Sequence, residues 1–70
     1  MAENHAQFSI RTVKSEEEVE EIESELENAN GVMEADIDAE SGAADVRFDL
    51  ELIGEAQIKG AVQDMGYEVS

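Results

Sequence analysis

Hydrophobic and polar residues alternate from Gln7 to Val13, with Phe8 and Ile10 on one side, Ser9 and Arg11 on the other, and Thr12 on the inner side. A period of two over a run this short predicts a half-buried strand. The pattern then changes. Val19, Ile22, Leu26 and Ala29 recur at steps of three and four, which places them on one narrow stripe of a helix. Its start is marked by Ser15 and Glu18, the Ser-x-x-Glu spacing in which the serine oxygen accepts a first-turn N–H and the glutamate reaches back to the N–H of the cap residue. Asn30-Gly31 supplies the stop, Gly31 suiting the left-handed position just past a helix end.

From Val32 to Asp38 the alternation returns, with Met33, Ala35 and Ile37 inward and Glu34 and Asp36 outward. After the turn-forming Ala39 to Gly42, the residues Ala44, Val46 and Phe48 alternate with Asp45, Arg47 and Asp49, so the two runs read as a β-hairpin. Ile58, Ala61, Val62 and Met65 make a second helical stripe that begins near Gly54 or Glu55, is capped by Gly66 and leads into a short strand from Tyr67 to Val69. The order β-α-β-β-α-β predicts an α+β domain of the ferredoxin-like kind: a four-stranded antiparallel sheet, strands one and three central, with both helices on one face. Its other face should be open to water and carry Ser9, Arg11, Asp36, Asp45 and Arg47, the two arginines on neighbouring strands. Residues 1–6 show no pattern and are expected to form a flexible tail, with a single domain over 7–70. His5, in that tail, is expected to have no partner and no functional role.

Charge narrows the function classes. The 70 residues hold 4 Lys and Arg against 19 Asp and Glu, a net charge of −15. Four cations cannot form the footprint that a nucleic-acid backbone requires. No apolar run approaches the ~18 residues of a membrane span, and no basic-then-apolar leader opens the chain. The expectation is a cytoplasmic monomer with no nucleic-acid partner and no membrane insertion. The absence of cysteine removes disulfides, thiolate ligands and a thiol nucleophile. No nucleophile stands beside a base, and no phosphate-cradling glycine loop or HExxH pattern occurs, so the chain does not read as an enzyme.

Gly31-Val32 followed by Ala35 and Ile37, Val46-x-Phe48-Asp49, Ile58-x-x-Ala61-Val62 and Gly66-Tyr67, together with Ile22-Glu23 and Leu26, resemble in order and spacing the heavy-metal-associated domain, from Phe8 to Val69. That family comprises small copper chaperones and the N-terminal modules of metal-pumping ATPases, and the resemblance implies heavy-metal binding and transfer through two cysteines spaced CxxC before the first helix. The positions that match those cysteines are Ser15 and Glu18, while the family's preceding methionine and glycine match Val13 and Thr12. Cu(I) is held by sulfur, so the expected metal ligands are none, and copper or another heavy metal enters only through the family role.

Ser15 and Glu18 are instead expected to serve as a helix cap, like Gly31 and Gly66. The predicted function is a metal-independent protein-interaction module whose candidate surface is Lys14, Glu16, Glu17 and Glu20. The alternatives are weak metal binding at a non-cysteine site and a small-ligand sensing module of the same fold. Met33 and Met65 are expected in the core. Eight of the twelve residues from Glu16 to Glu27 are glutamate, and they read as a solvated face, since Ca²⁺ and Mg²⁺ prefer a concave oxygen cage. Four like-charge i,i+4 pairs among them (16/20, 17/21, 21/25 and 23/27) cost roughly 1–2 kcal/mol at low salt. Molar salt shortens the Debye length to ~3 Å and removes most of that cost, so the acidity predicts a halophilic source.

Overall fold

Alternate apolar residues along the strands bury one face of the sheet against the helices, and this alternation builds the core. The computed structural model describes residues 3–70, in the order β1 (Glu3–Ser9), α1 (Glu16–Glu27), β2 (Val32–Ile37), β3 (Ala43–Asp49) and α2 (Glu55–Asp64). The three strands form an antiparallel sheet ordered β1-β3-β2. Ala6 and Phe8 from β1, Ala35 and Ile37 from β2, and Ala44, Val46 and Phe48 from β3 face one side. Val19, Ile22 and Leu26 of α1 and Ile58 and Val62 of α2 cover that side in one contiguous cluster. Both helices therefore lie on one face of the sheet, and the α+β arrangement stands.

The fourth strand does not form as a ladder. Among the described residues the C-terminal segment contributes one bridge, Ile10 with Val69. The reason lies at Gly66 and Tyr67, which are used by the end of α2: the Gly66 N–H donates to the Gln63 carbonyl at 2.9 Å and the Tyr67 N–H to the Val62 carbonyl at 3.4 Å. This is the Schellman pattern. What remains pairs over one short stretch: Ser9 and Ser70 each donate their N–H to the other's carbonyl, at 3.0 and 2.9 Å, and the Arg11 N–H donates to the Glu68 carbonyl at 2.8 Å. Of the two strands expected to be central, β3 is flanked on both sides, and β1 is flanked by β3 and, only at its C-terminal end among the described residues, by the short C-terminal stretch.

Strand one is displaced toward the N-terminus. It starts at Glu3, opposite Asp49, and ends at Ser9, because Ala6 is fully buried (0% exposed) opposite Val46 and extends the inward set of Phe8 and Ile10. The expected tail is thus strand from Glu3 onward, and its first two positions lie outside the described residues. His5 consequently has partners, with Nδ1 3.2 Å from Asp45 Oδ1 and Nε2 3.8 Å from Glu3 Oε2. Arg47 faces His5 across the ladder, not Arg11, which sits in the turn after β1. Its guanidinium lies 3.6 Å from Glu3 and 3.5 Å from Glu34, spanning all three strands on the open face. Such exposed pairs contribute about 0–1 kcal/mol each.

Met33 is not core. A register shift between Val32 and Glu34 turns it outward, where it is 39% exposed. Gly31 lies beyond the cap of α1, whose C-cap is Asn28. It occupies the third position of the Ala29 to Val32 turn at φ 106°, and a Cβ there would press on Leu52 and Ile53 at 2.8 Å. Only glycine suits both conditions.

Candidate functional site

The segment from Arg11 to Ser15 leaves β1 and enters α1 across the C-terminal end of the chain. The Arg11 N–H donates to the Glu68 carbonyl at 2.8 Å, and Thr12 Oγ1 accepts the Glu68 N–H at 3.4 Å. Val13 packs on the core from the side. The loop is therefore held at both walls before Ser15 turns the chain into the helix.

Ser15 is extended, at φ −150° and ψ 161°, and its Oγ accepts the Glu18 N–H at 3.3 Å while its carbonyl accepts the Val19 N–H at 3.1 Å. The Glu18 carboxylate accepts the N–H of Lys14 at 2.7 Å. That is one residue earlier than the reciprocal bond expected of the box. Successive N–H groups in an extended stretch point to opposite sides, so only one of the two can face the first turn. Both side chains are thus occupied by helix closure, and the three first-turn carboxylates Glu16, Glu17 and Glu18 complement the positive end of the helix.

Lys14, Ser15, Glu16, Glu17 and Glu20 are exposed around this point, and Glu18 is half-buried. Gly66 and Tyr67 reach it from the end of α2, while Gly31 sits at the opposite end of α1. Ser15 and Glu18 offer a hydroxyl and a carboxylate, hard oxygen donors already bonded to backbone N–H groups, and this set does not fit a soft ion such as Cu(I). Among the described residues no three His, Cys, Asp or Glu side chains converge to hold a metal ion. On the helix-free face, a shallow depression of about 600 Å³ is lined by Gln7, Ser9, Asp36, Asp38, Asp45 and Ser70. Its carboxylates disfavour anionic ligands.

Tyr67 is the site residue that periodicity misses; the signal available was its place directly after the capping glycine, which swings it back toward α1. Burial raises its hydroxyl above the ordinary tyrosine value, and the charges of Glu18 and Glu21 and a hydrogen bond to Glu18 add to the rise. A tyrosine raised in the folded state is held protonated by the fold. Its contribution is fully present below the unfolded value of ~10 and is lost as pH climbs through the higher folded value. Because the chain has one tyrosine and no tryptophan, tyrosinate absorbance reports Tyr67 alone. Glu18→Gln is expected to lower the titration midpoint toward the ordinary value without reaching it. An unmoved midpoint would assign the rise to burial and Glu21.

The same frame appears in known proteins. The sequence pattern of the heavy-metal-associated domain matches residues 7–68. The copper chaperone CopZ of Staphylococcus aureus strain Newman is 40% identical over 48 residues, which is 69% of this chain and 71% of the relative. A solved CopZ metallochaperone superposes with a TM-score of 0.91 at 28% identity, over 96% of this chain and 100% of the other. The copper binding domain from HMA7, a P-type ATPase, gives 0.89 at 30% identity over 94% and 89%. Oxidized MerP from Ralstonia metallidurans CH34, at 22% identity and a TM-score of 0.90 over 99% and 96%, shares the fold. With the domain pattern covering all but the two ends, and with a relative of this identity, the chain belongs to the heavy-metal-associated domain family.

Proposed function

We propose that this chain is a metal-independent protein-interaction module on the heavy-metal-associated fold, a monomer working in a salt-rich cytoplasm rather than an enzyme. One observation carries the reading: the residues at the two positions that resemble the family's cysteines are spent on closing α1, Ser15 Oγ on the Glu18 N–H and the Glu18 carboxylate on the Lys14 N–H. A copper chaperone has to dock on the protein that receives its ion. A chain that keeps the fold but lacks the thiolates retains the docking half of that task, and the exposed Lys14, Glu16, Glu17 and Glu20 frame the surface for it. Their charge favours a partner with a basic face.

The test is a titration of the folded protein in molar KCl with Cu(I), Zn²⁺ and Ca²⁺, followed through amide NMR shifts. Weak, diffuse shifts along the glutamates of α1 are expected. Saturable shifts confined to residues 12–19 at micromolar metal would restore a metal role and overturn the proposal. The same samples test the salt adaptation: relief of roughly 1–2 kcal/mol of helix repulsion, at about 4–8 °C per kcal/mol for a domain this size, raises Tm by roughly 5–15 °C between low and molar salt. A flat Tm would remove the salt adaptation and leave the metal-free reading standing.

A further inference from the structure

β2 is an edge strand, paired among the described residues with β3 only. Such an edge presents unpaired N–H groups and is a template for another strand. Here two of them are taken. The Ile37 N–H donates to Glu23 Oε2 at 2.9 Å and the Ala35 N–H to Glu27 Oε2 at 3.3 Å. The geometry explains why two glutamates one helical turn apart can do this. Four residues of helix rise ~6 Å, and two residues of strand advance ~6.6–6.8 Å. A helix running antiparallel beside the strand therefore sets one carboxylate against each successive edge-facing N–H.

We propose that Glu23 and Glu27 close a strand-addition surface, and that without their carboxylates β2 pairs edge to edge with β2 of a second copy. A second copy is the occupant because the edge of an antiparallel strand carries alternating N–H and carbonyl groups that match the same edge of another copy turned about a two-fold axis, and because what opposes such pairing is weak in salt. The outward Glu34 and Asp36 of two antiparallel β2 strands would stand opposite one another, a like-charge contact that molar salt screens. The two hydrogen bonds persist under the same conditions. The 23/27 pair thus has a structural role that accounts for its like-charge cost, although Glu27 is exposed. This inference stands whether or not the chain binds metal.

The experiment compares three full-length variants by sedimentation equilibrium in 1 M KCl, with circular dichroism as the check on folding. Glu23→Ala/Glu27→Ala is expected to self-associate with a dissociation constant at least about tenfold below that of the unchanged chain. Glu23→Gln/Glu27→Gln, which keeps an acceptor on each side chain, and Glu16→Ala/Glu20→Ala, which removes equal charge away from β2, are expected to match the unchanged chain. Should the double alanine variant not fold, Glu27→Ala alone, which gives up the longer bond, is expected to show the same direction with a smaller shift. Absence of association in a folded Glu23→Ala/Glu27→Ala overturns the proposal, as does equal association of either control.

Discussion

Replacing Ser15 and Glu18 together with cysteine is expected to raise the Cu(I) affinity of the chain by at least about 10³-fold, or ~4 kcal/mol. The two positions are already side by side: they flank one turn of helix start, and their side chains and backbone meet through the Ser15 to Glu18 contact at 3.3 Å. Two thiolates there supply the soft donors that the hydroxyl and carboxylate lack. The positive end of α1 lowers a thiol pKa and so favours the ligating form. The exchange has a cost. Loss of the serine cap removes about 0.5–2 kcal/mol, and the Lys14 N–H gives up its carboxylate acceptor. A Ser15→Ala/Glu18→Ala variant should show that cost with no gain in affinity. Competition against a Cu(I) chelator, with a denaturant titration on the same samples, reads both effects. A folded double-cysteine variant with unchanged affinity would mean that the loop, as pinned by Glu68, cannot turn both sulfurs toward one ion.

The largest stability effect is expected at Gly42. This glycine ends the loop between β2 and β3, is buried, and holds φ 77°. Its carbonyl accepts the Ile10 N–H at 2.8 Å and its N–H donates to the Asp38 carbonyl at 2.8 Å. A Cβ built at this position lands on the carbonyl oxygen of Ile10, which is backbone and cannot swing aside. Gly42→Ala combines a left-handed penalty of about 1–2 kcal/mol with an overpacking cost of about 1–3 kcal/mol. Against the roughly 3.5–10 kcal/mol available to a domain of this length, a loss of about 2–5 kcal/mol takes a large share of the folding free energy and lowers the denaturant midpoint accordingly. Gly60 gives the contrast. It lies inside α2 with nothing within 4 Å of a built Cβ, so Gly60→Ala should stabilise by about 0.5–1 kcal/mol. A Gly42→Ala midpoint that does not fall would contradict the close approach at Ile10.

What the residues disclose in advance depends on how local each interaction is. The stripes Val19, Ile22, Leu26 and Ile58, Val62 are set by a helical period inside single elements, so the helices and their buried faces are legible. Ser15 and Glu18 stand three apart, and their meeting needs little beyond the helix they begin. Ala6 is harder. A methyl group gives a weak inward signal, and it is surrounded by Asn4, His5 and Gln7, so the strand through it reads as tail. Met33 follows the alternation faithfully and is still turned out, because a register shift at the start of β2 changes the phase. Glu23 and Glu27 meet residues fourteen and eight positions away, across a helix-strand contact that no periodicity encodes. The fourth strand is shortened for a related reason: Tyr67 closes α2, and only Glu68 to Ser70 are left to pair beside the end of β1. At the candidate site, the resemblance to a family locates Ser15 and Glu18, but the contact of Glu18 with Tyr67 comes only from the tertiary fold.

The last five residues, Gly66 to Ser70, close α2, bridge β1 through Val69, exchange hydrogen bonds with Ser9 and grip Arg11 and Thr12 through Glu68. These contacts share one short segment and so open together. Amide hydrogen exchange at Ser9, Arg11, Tyr67, Glu68 and Ser70 should therefore report one cooperative unit, with a lower opening free energy than the core strands. Each such opening frees the loop that carries Lys14 and Ser15, which makes the shape of the candidate surface an equilibrium property set by the far end of the chain.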